Sequence, residues 1–327
     1  MPLAATGDII RPARAARRGV GAFNVIGLEH AEAIVAGAEA AAAPVVLQIS
    51  ENCVAYHGGL EPIARACLAL ARAATVPVAV HLDHAVDVTL VEAAAEVGIG
   101  SVMFDASGLS YAENVRATAS VARCCQRRGI WVEAELGEIG GKDGVHSPHA
   151  RTDPDEAARY VAATGVDALA VAVGSSHAMA TRDAVLDLGL ITRINRTVSV
   201  PLVLHGSSGV PDADLAAAVR AGMTKINIAT QLNKLFTAAV RQVLSAGPAT
   251  VDPRKYGAAG RDAIAPEVAR LLRLLGAGDT SHETMAMTAG RRAPAADGTV
   301  SDGTVSDGAV SDGTGAGGAG EPLSPVE

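Results

Sequence analysis

Between residues 20 and 231 the chain alternates short apolar or β-branched segments with helix-like stretches. The apolar segments are GAFNV (21–25), PVVLQIS (44–50), PVAVHLD (77–83), SVMFDAS (101–107), IWVEAELG (130–137), ALAVAVGS (168–175), PLVLHGS (201–207) and KINIAT (225–230). Most are continuous apolar runs rather than strict alternations, the pattern of parallel strands covered on both faces. The stretches between them carry helix signals. LEHAEAIVAGAEAAAA follows the first segment. In TDPDEAARYVAATG the spacing places Asp153 as N-cap, Pro154 at the first helical position and Glu156 as the partner in a capping box. VPDADLAAAVRAG starts similarly and stops at Gly222. Eight strand–helix units in this span predict an α/β fold, a TIM (β/α)8 barrel. A doubly wound open sheet is the structural alternative, but no G-x-G-x-x-G follows the first strand to support it.

The polar residues follow this pattern. In a TIM barrel the chemistry sits at the C-terminal ends of the strands. Asn24 lies near the end of the first segment and Ser50 ends the second. Asp83 and His84 end the third, Asp105 and Ser107 the fourth, and Glu133 and Glu135 the fifth. His177 follows the sixth, His205 and Gly206 end the seventh, and Asn227 and Thr230 the eighth. Neighbouring strand residues point to opposite faces, so Asp83 and His84 can serve one site only if the strand ends there and the chain turns.

From Asp297 the pattern changes to DGTVS, DGTVS, DGAVS and DGTG, which cannot bury enough apolar surface to offset chain entropy. The expected organisation is a barrel domain over 1–287 and a disordered Gly/Ser/Asp-rich tail over 288–327.

Composition narrows the function. The chain has 327 residues, 49% hydrophobic and only 2% aromatic, so Ala, Val, Leu and Ile must fill the core. No apolar run reaches the ~20 residues of a membrane span, and no secretory h-region is expected at the start. A net charge of −8 argues against nucleic acid as the main partner. Four cysteines without C-x-x-C spacing fit free thiols in a reducing cytoplasm.

Three histidines, His84, His177 and His205, converge on one barrel mouth. Three imidazoles leave a tetrahedral Zn²⁺ one open position for substrate. Asp105 and Glu135 read as hydrogen-bond partners of these ligands or as a second metal position. His81 reads as supporting rather than ligating. HGSSG (205–209) and NIAT (227–230) combine glycine, hydroxyls and backbone N–H groups suited to phosphate, after the strands where this fold commonly binds it.

Taken together, GAFNV, HLDHA, VEAELGEIGG, TDPDEAARYVAATGVDALAVAVGSSH, PLVLHGSSG, KINIATQL and DPRKY resemble the class II, metal-dependent fructose- and tagatose-bisphosphate aldolases over about residues 5–276. The resemblance implies an aldehyde-lyase of carbohydrate metabolism (glycolysis). Its substrate would be a ketose 1,6-bisphosphate, cleaved reversibly to dihydroxyacetone phosphate and glyceraldehyde 3-phosphate. It implies a homodimer or homotetramer. It implies that His84, His177 and His205 hold catalytic Zn²⁺, with Asp105 and Glu135 at a second metal position. Asp83 would exchange the proton of the C4 hydroxyl, and Asp143 stands where the family has a second proton-moving acid. Gly206, Ser207 and Ser208, with Asn227, Ile228, Ala229 and Thr230, would bind one phosphate, accompanied by a monovalent cation, Na⁺ or K⁺. Ser50 would face the other phosphate and Asn24 the sugar hydroxyls, with Ala178 where the family has glycine. Ala229 is closer to the tagatose branch.

Cleaving a β-hydroxy ketone leaves an enediolate, stabilised by a Lewis-acid metal or by a Schiff-base lysine. The chain has only four lysines, and Lys225 starts the eighth strand, at the wrong end of the barrel for the second route. The arginine that reaches a distal phosphate in the family is replaced by Ala258, with Arg254 and Arg261 nearby. The alternatives are an aldolase for a keto-sugar monophosphate, which loss of the arginine favours, a TIM-barrel metal hydrolase, or a catalytically dead sugar-phosphate-binding module.

Overall fold

The eight apolar segments form eight parallel strands that pair in sequence order and close on themselves. They are β1 (Val20–Asn24), β2 (Val45–Ser50), β3 (Val78–Ala85), β4 (Ser101–Phe104), β5 (Trp131–Leu136), β6 (Ala168–Val171), β7 (Leu202–Leu204) and β8 (Met223–Ile228). The helices are α1 (Thr6–Ala15), α2 (Leu28–Ala41), α3 (Glu51–His57), α4 (Glu61–Ala73), α5 (Val88–Val97), α6 (Tyr111–Gln126), α7 (Pro154–Thr164), α8 (Leu188–Thr197), α9 (Asp212–Ala221), α10 (Thr230–Ala246) and α11 (Pro253–Gly276). This computed structural model describes residues 2–136, 151–176 and 181–276. Asp143, His177, Ala178 and the expected tail lie outside the described residues.

The apolar runs conceal a period of two. Phe23, Leu47, Val80, Leu82, Val102, Val132, Leu169, Leu204 and Ile226 pack outward into the large core between strands and helices. A second, smaller core fills the barrel interior with Val20, Ala22, Val46, Ala79, Ala168, Ala170 and Val203, capped by Trp131 and by Ile9 and Ile10 of α1. Helix α1 thus plugs the N-terminal end of the barrel. On the same inward face, one or two pleats higher, stand Gln48, His81, Asp83, Glu133, Glu135 and Asn227, all buried. The interior is therefore apolar below and polar above.

The structure refines three local expectations. β4, β6 and β7 stop at Phe104, Val171 and Leu204, so Asp105, Ser175, His205 and Ser207 lie in the segments after the strands rather than at their ends. Asp153 caps α7 by accepting from the Glu156 N–H at 2.9 Å, but no reciprocal bond from the Glu156 side chain forms; the capping box is at Ser110 and Glu113 on α6. Pro211 is the N-cap of α9, which has acids in its first turn and no side-chain cap bond.

Asp212 joins three elements at the rim. It accepts from Arg182, in the segment before α8, and from Arg270 of α11, each at 2.5 Å. Arg182 also donates to the Val210 carbonyl behind β7. Burial raises the Asp212 pKa, but the two guanidinium groups outweigh it and lower the pKa below the ordinary value. A lowered pKa contributes stability above the unfolded-state value, and that stability is lost as pH falls through the folded-state value. Asp212→Asn is therefore expected to cost about 0.5–1 kcal/mol near neutrality. The difference in melting temperature from the parent should shrink below about pH 4. A pH-independent difference would mean that the clasp acts by shape rather than charge.

Candidate active site

Asp83 and His84 share the site by a route the sequence did not reveal: the strand does not end between them. β3 continues to Ala85, but its register against β4 slips, with Leu82 opposite Val102 and Ala85 opposite Phe104. One extra residue is accommodated on β3, as in a β-bulge. His84 has φ 53°, in the left-handed region. For a non-glycine residue this costs on the order of 1–3 kcal/mol, and such conformations concentrate at functional sites. The bulge puts both side chains on the wall of one cavity of about 190 Å³.

His84 and His205 meet there at right angles, with ring centroids 4.6 Å apart. His84 Nδ1 lies 2.9 Å from Asp105 Oδ2, and His205 Nε2 lies 2.9 Å from Glu133 Oε1. A ring nitrogen facing a carboxylate carries the proton. The opposite nitrogens, His84 Nε2 and His205 Nδ1, then present lone pairs, and these face each other at 2.9 Å. Two nitrogens on a tetrahedral ion with ~2.0 Å bonds stand about 3.3 Å apart. Glu135 Oε2 is 3.9 Å from His205 Nδ1. Two groups of donor atoms each fall within 4.8 Å of one another: Asp83, His84 and His205, and His84, Asp105 and Glu135. These residues fit a divalent metal, with tautomers set by carboxylates behind the rings.

Beneath the histidines is a buried charge layer. Glu133 Oε2 accepts from Lys225 Nζ at 2.8 Å, with side-chain exposures of 0% and 1%. This corrects the reading of Lys225 as remote. Lys225 is the third residue of β8, and its side chain rises inside the barrel to Glu133, which in turn holds His205. Its ammonium is engaged below the cavity wall and does not line it. His81 Nδ1 shares a hydrogen bond with Ser101 Oγ at 2.8 Å, and burial pushes its pKa down to about 3, so the ring is neutral. Burial would raise the Asp83 pKa, but the charge His84 can carry and the Lys225 ammonium outweigh it and hold Asp83 ionised. Asn24 donates to Asp83 Oδ2 at 3.2 Å and is itself fixed by Gln48, while Asp83 Oδ1 is buried without a hydrogen-bond partner.

Continuous with His205 is the loop after β7, which meets the start of α10. Gly206 has φ 67°, and a Cβ there would collide with the Ser176 carbonyl, so glycine is required. Ser208 Oγ accepts from the N–H groups of Ala229 and Gln231, each at 3.3 Å. No side chain from α10 itself caps this helix. Its positive dipole end therefore points at the hydroxyl loop, as at anion sites.

The cavity is lined by Asn24, Ser50, Asp83, His84, Gly206, Ser207, Ser208, Asn227, Ala229 and Thr230, as expected, and by Asn52 and Ser176, which were not anticipated. Ser50 also caps α3, accepting from the Cys53 N–H. The Ile228 side chain does not line the cavity; it is buried in the outer core. Glu133 was the missed supporting residue. Its signal was its spacing of two from Glu135, which puts both on the inward face of β5. Arg254 pairs with Asp252, and Arg261 with Glu32 and Asp262, so both candidate replacements at Ala258 already hold acids of this chain.

The family model described as "Fructose-bisphosphate aldolase class-II" matches residues 4–280. The fructose-bisphosphate aldolase of Geobacillus stearothermophilus is 38% identical over 280 residues, covering 84% of this chain and 98% of that protein. A probable fructose-bisphosphate aldolase of Bacillus subtilis is 37% identical over the same length, with the same coverage. The crystal structure of the YdjI aldolase from Escherichia coli K12 superposes with a TM-score of 0.75 at 32% identity, over 85% of this chain and 99% of that one.

The buried pair predicts an asymmetry. Lys225→Met leaves Glu133 as a buried charge without its ammonium and should cost roughly 3–5 kcal/mol in chemical denaturation of the metal-free protein. The Lys225→Met/Glu133→Gln double variant should recover most of that loss. A double variant no more stable than the single would show that Glu133 does not depend on Lys225.

Proposed function

This chain belongs to the class II fructose-bisphosphate aldolase family, and we propose that it cleaves a ketose 1,6-bisphosphate by retro-aldol chemistry around a Zn²⁺ held by His84, His205 and His177. The observation that carries this reading is the pair of lone-pair nitrogens, His84 Nε2 and His205 Nδ1, 2.9 Å apart and each backed by a carboxylate. Zn²⁺ bound there supplies Lewis-acid polarisation of the substrate carbonyl.

The chain's own residues do the rest. The Asp83 carboxylate, ionised and with one buried oxygen unpartnered, takes the C4 hydroxyl proton. The C3–C4 electron pair passes to the dihydroxyacetone phosphate half as an enediolate, and the C4 half leaves as an aldehyde. Asp143 returns a proton to C3. Asn24, oriented by Gln48, holds Asp83 and the sugar hydroxyls. Gly206, Ser207, Ser208 and the first residues of α10 bind one phosphate, with Na⁺ or K⁺ beside it, and Ser50 faces the other. Asp105 and Glu135, grouped with His84, would line a second metal position.

In this reading the enzyme is a homodimer or homotetramer working in the cytoplasm, its catalytic unit is residues 1–287, and the tail at 288–327 is dispensable for turnover. Free thiols at Cys53, Cys67, Cys124 and Cys125 support a reducing compartment, and no helix among the described residues is long and apolar enough to cross a membrane. A second substrate reading, a keto-sugar monophosphate, is favoured by Ala258 and by the acid partners of Arg254 and Arg261.

A coupled assay for dihydroxyacetone phosphate on fructose- and tagatose-1,6-bisphosphate and their monophosphates tests this. Cleavage is expected to stop with EDTA and return with Zn²⁺; EDTA-resistant turnover, or borohydride trapping on a lysine, would sink the metal route. Asp83→Ala is expected to retain bound zinc while kcat falls by about 10²–10⁴. Full turnover in that variant would remove Asp83 from the chemistry.

A further inference from the structure

Five arginines face one cleft at the end of the barrel opposite the active site. Arg14, Arg17 and Arg18 come from the end of α1 and the turn after it, Arg196 from the last turn of α8 and Arg220 from the last turn of α9. The cleft has a volume of about 320 Å³, opens beside the start of β8, and has no carboxylate among its described lining residues. In a chain of net charge −8 this is a local reversal of sign.

The ordinary explanation is that cations favour helix C-termini. Three helices end here, each with a partial charge of roughly −0.5, about −1.5 in all against the three full charges of Arg17, Arg196 and Arg220 alone. Arg14 is also accounted for locally, since its guanidinium donates to the Val198 carbonyl at 3.0 Å and to the Ser199 carbonyl. Arg17, Arg196 and Arg220 have no acidic partner among the described residues. Elsewhere on the surface, arginines do find acids, as in Arg65–Glu61, Arg254–Asp252, Arg261–Glu32 and Arg270–Glu267.

A buried amide borders the same cleft. Asn195 lines it, and its Oδ1 is buried without a hydrogen-bond partner. Gly222, at φ 132°, packs so closely that a Cβ would lie 2.5 Å from Asn195 Cγ, which pins this side chain.

We infer that this cleft is a second ligand site, for a small anion carrying two or three linked phosphoryl groups. Several charges are needed because the unpaired guanidinium groups come from three separate elements. A short chain fits better than a long polyanion because the cleft is small and the rest of the molecule is acidic, which repels an extended one. Arginine's planar fork suits phosphate oxygens. An occupant would tie α1, the plug of the barrel, to α8 and α9.

The test uses the full chain and inorganic tripolyphosphate, with ATP as the nucleotide form of the same chemistry. Calorimetry at low salt is expected to give a Kd below about 1 mM, weakening steeply as salt is added. The Arg17→Asn/Arg196→Gln/Arg220→Gln variant should lose this binding at least tenfold, with aldolase turnover unchanged. Asparagine is chosen for residue 17 because Arg17 has φ 52°, which asparagine tolerates. If the triple variant fails to fold, Arg196→Gln alone should weaken binding about threefold. Undiminished affinity in the variants, or tighter binding of a short DNA duplex than of tripolyphosphate, would overturn the assignment. ATP binding more than tenfold tighter than tripolyphosphate would also overturn it, because it would place recognition on the nucleoside.

Discussion

The ion pair between Lys225 and Glu133 sets the conditions for everything above it in the barrel. Two charges with 1% and 0% exposure have no water to solvate them, so each depends on the other. Glu133 cannot rotate away from Lys225 without leaving a buried charge unmatched, and its second oxygen is the one on His205. The orientation of His205 is therefore inherited from a pair that no substrate touches. The layer also needs a dry floor, provided by the small inward alanines and by Ile9 and Ile10 of α1.

His84 reaches the same place by a different means. Its ring is fixed by Asp105, which also accepts from the N–H and hydroxyl of Ser107. Its backbone is held in a left-handed bulge. Without the bulge, the alternation of the strand would send either Asp83 or His84 to the outer core. The local strain of His84 is thus the structural condition for having an ionised carboxylate and an imidazole side by side on one cavity wall. A rigid floor and a strained rim together give a site whose parts come from eight different strands and the loops that follow them.

Much of this was legible in the sequence. The barrel followed from eight apolar runs with helix signals between them, and Asp83, His84, His205, Ser207, Ser208 and Asn227 followed from their places at strand ends. The physical reason is that a parallel barrel has only one open end where strand termini meet. The misreadings share a cause. Lys225 was judged from its position along β8, but a lysine side chain spans about two pleats of a strand. Ile228 lies between residues that line the cavity, whereas alternation turns its own side chain outward. Glu133 was passed over because a glutamate below the rim needs a cation to exist there, and that cation is distant in sequence.

By itself the sequence determined the architecture, the family and the kinds of groups at the barrel mouth, because periodicity and residue type are local properties of the chain. Only the tertiary structure decided which nitrogen of each histidine faces the other, that β3 bulges rather than ends, and that Lys225 supports the site from below. Those outcomes depend on burial and on contacts between residues far apart in the chain, such as His84 with Asp105, 21 positions away, and with His205, 121 positions away. The same holds for the arginine cleft: its members are scattered over α1, α8 and α9, and their shared charge appears only when three helix ends are brought together.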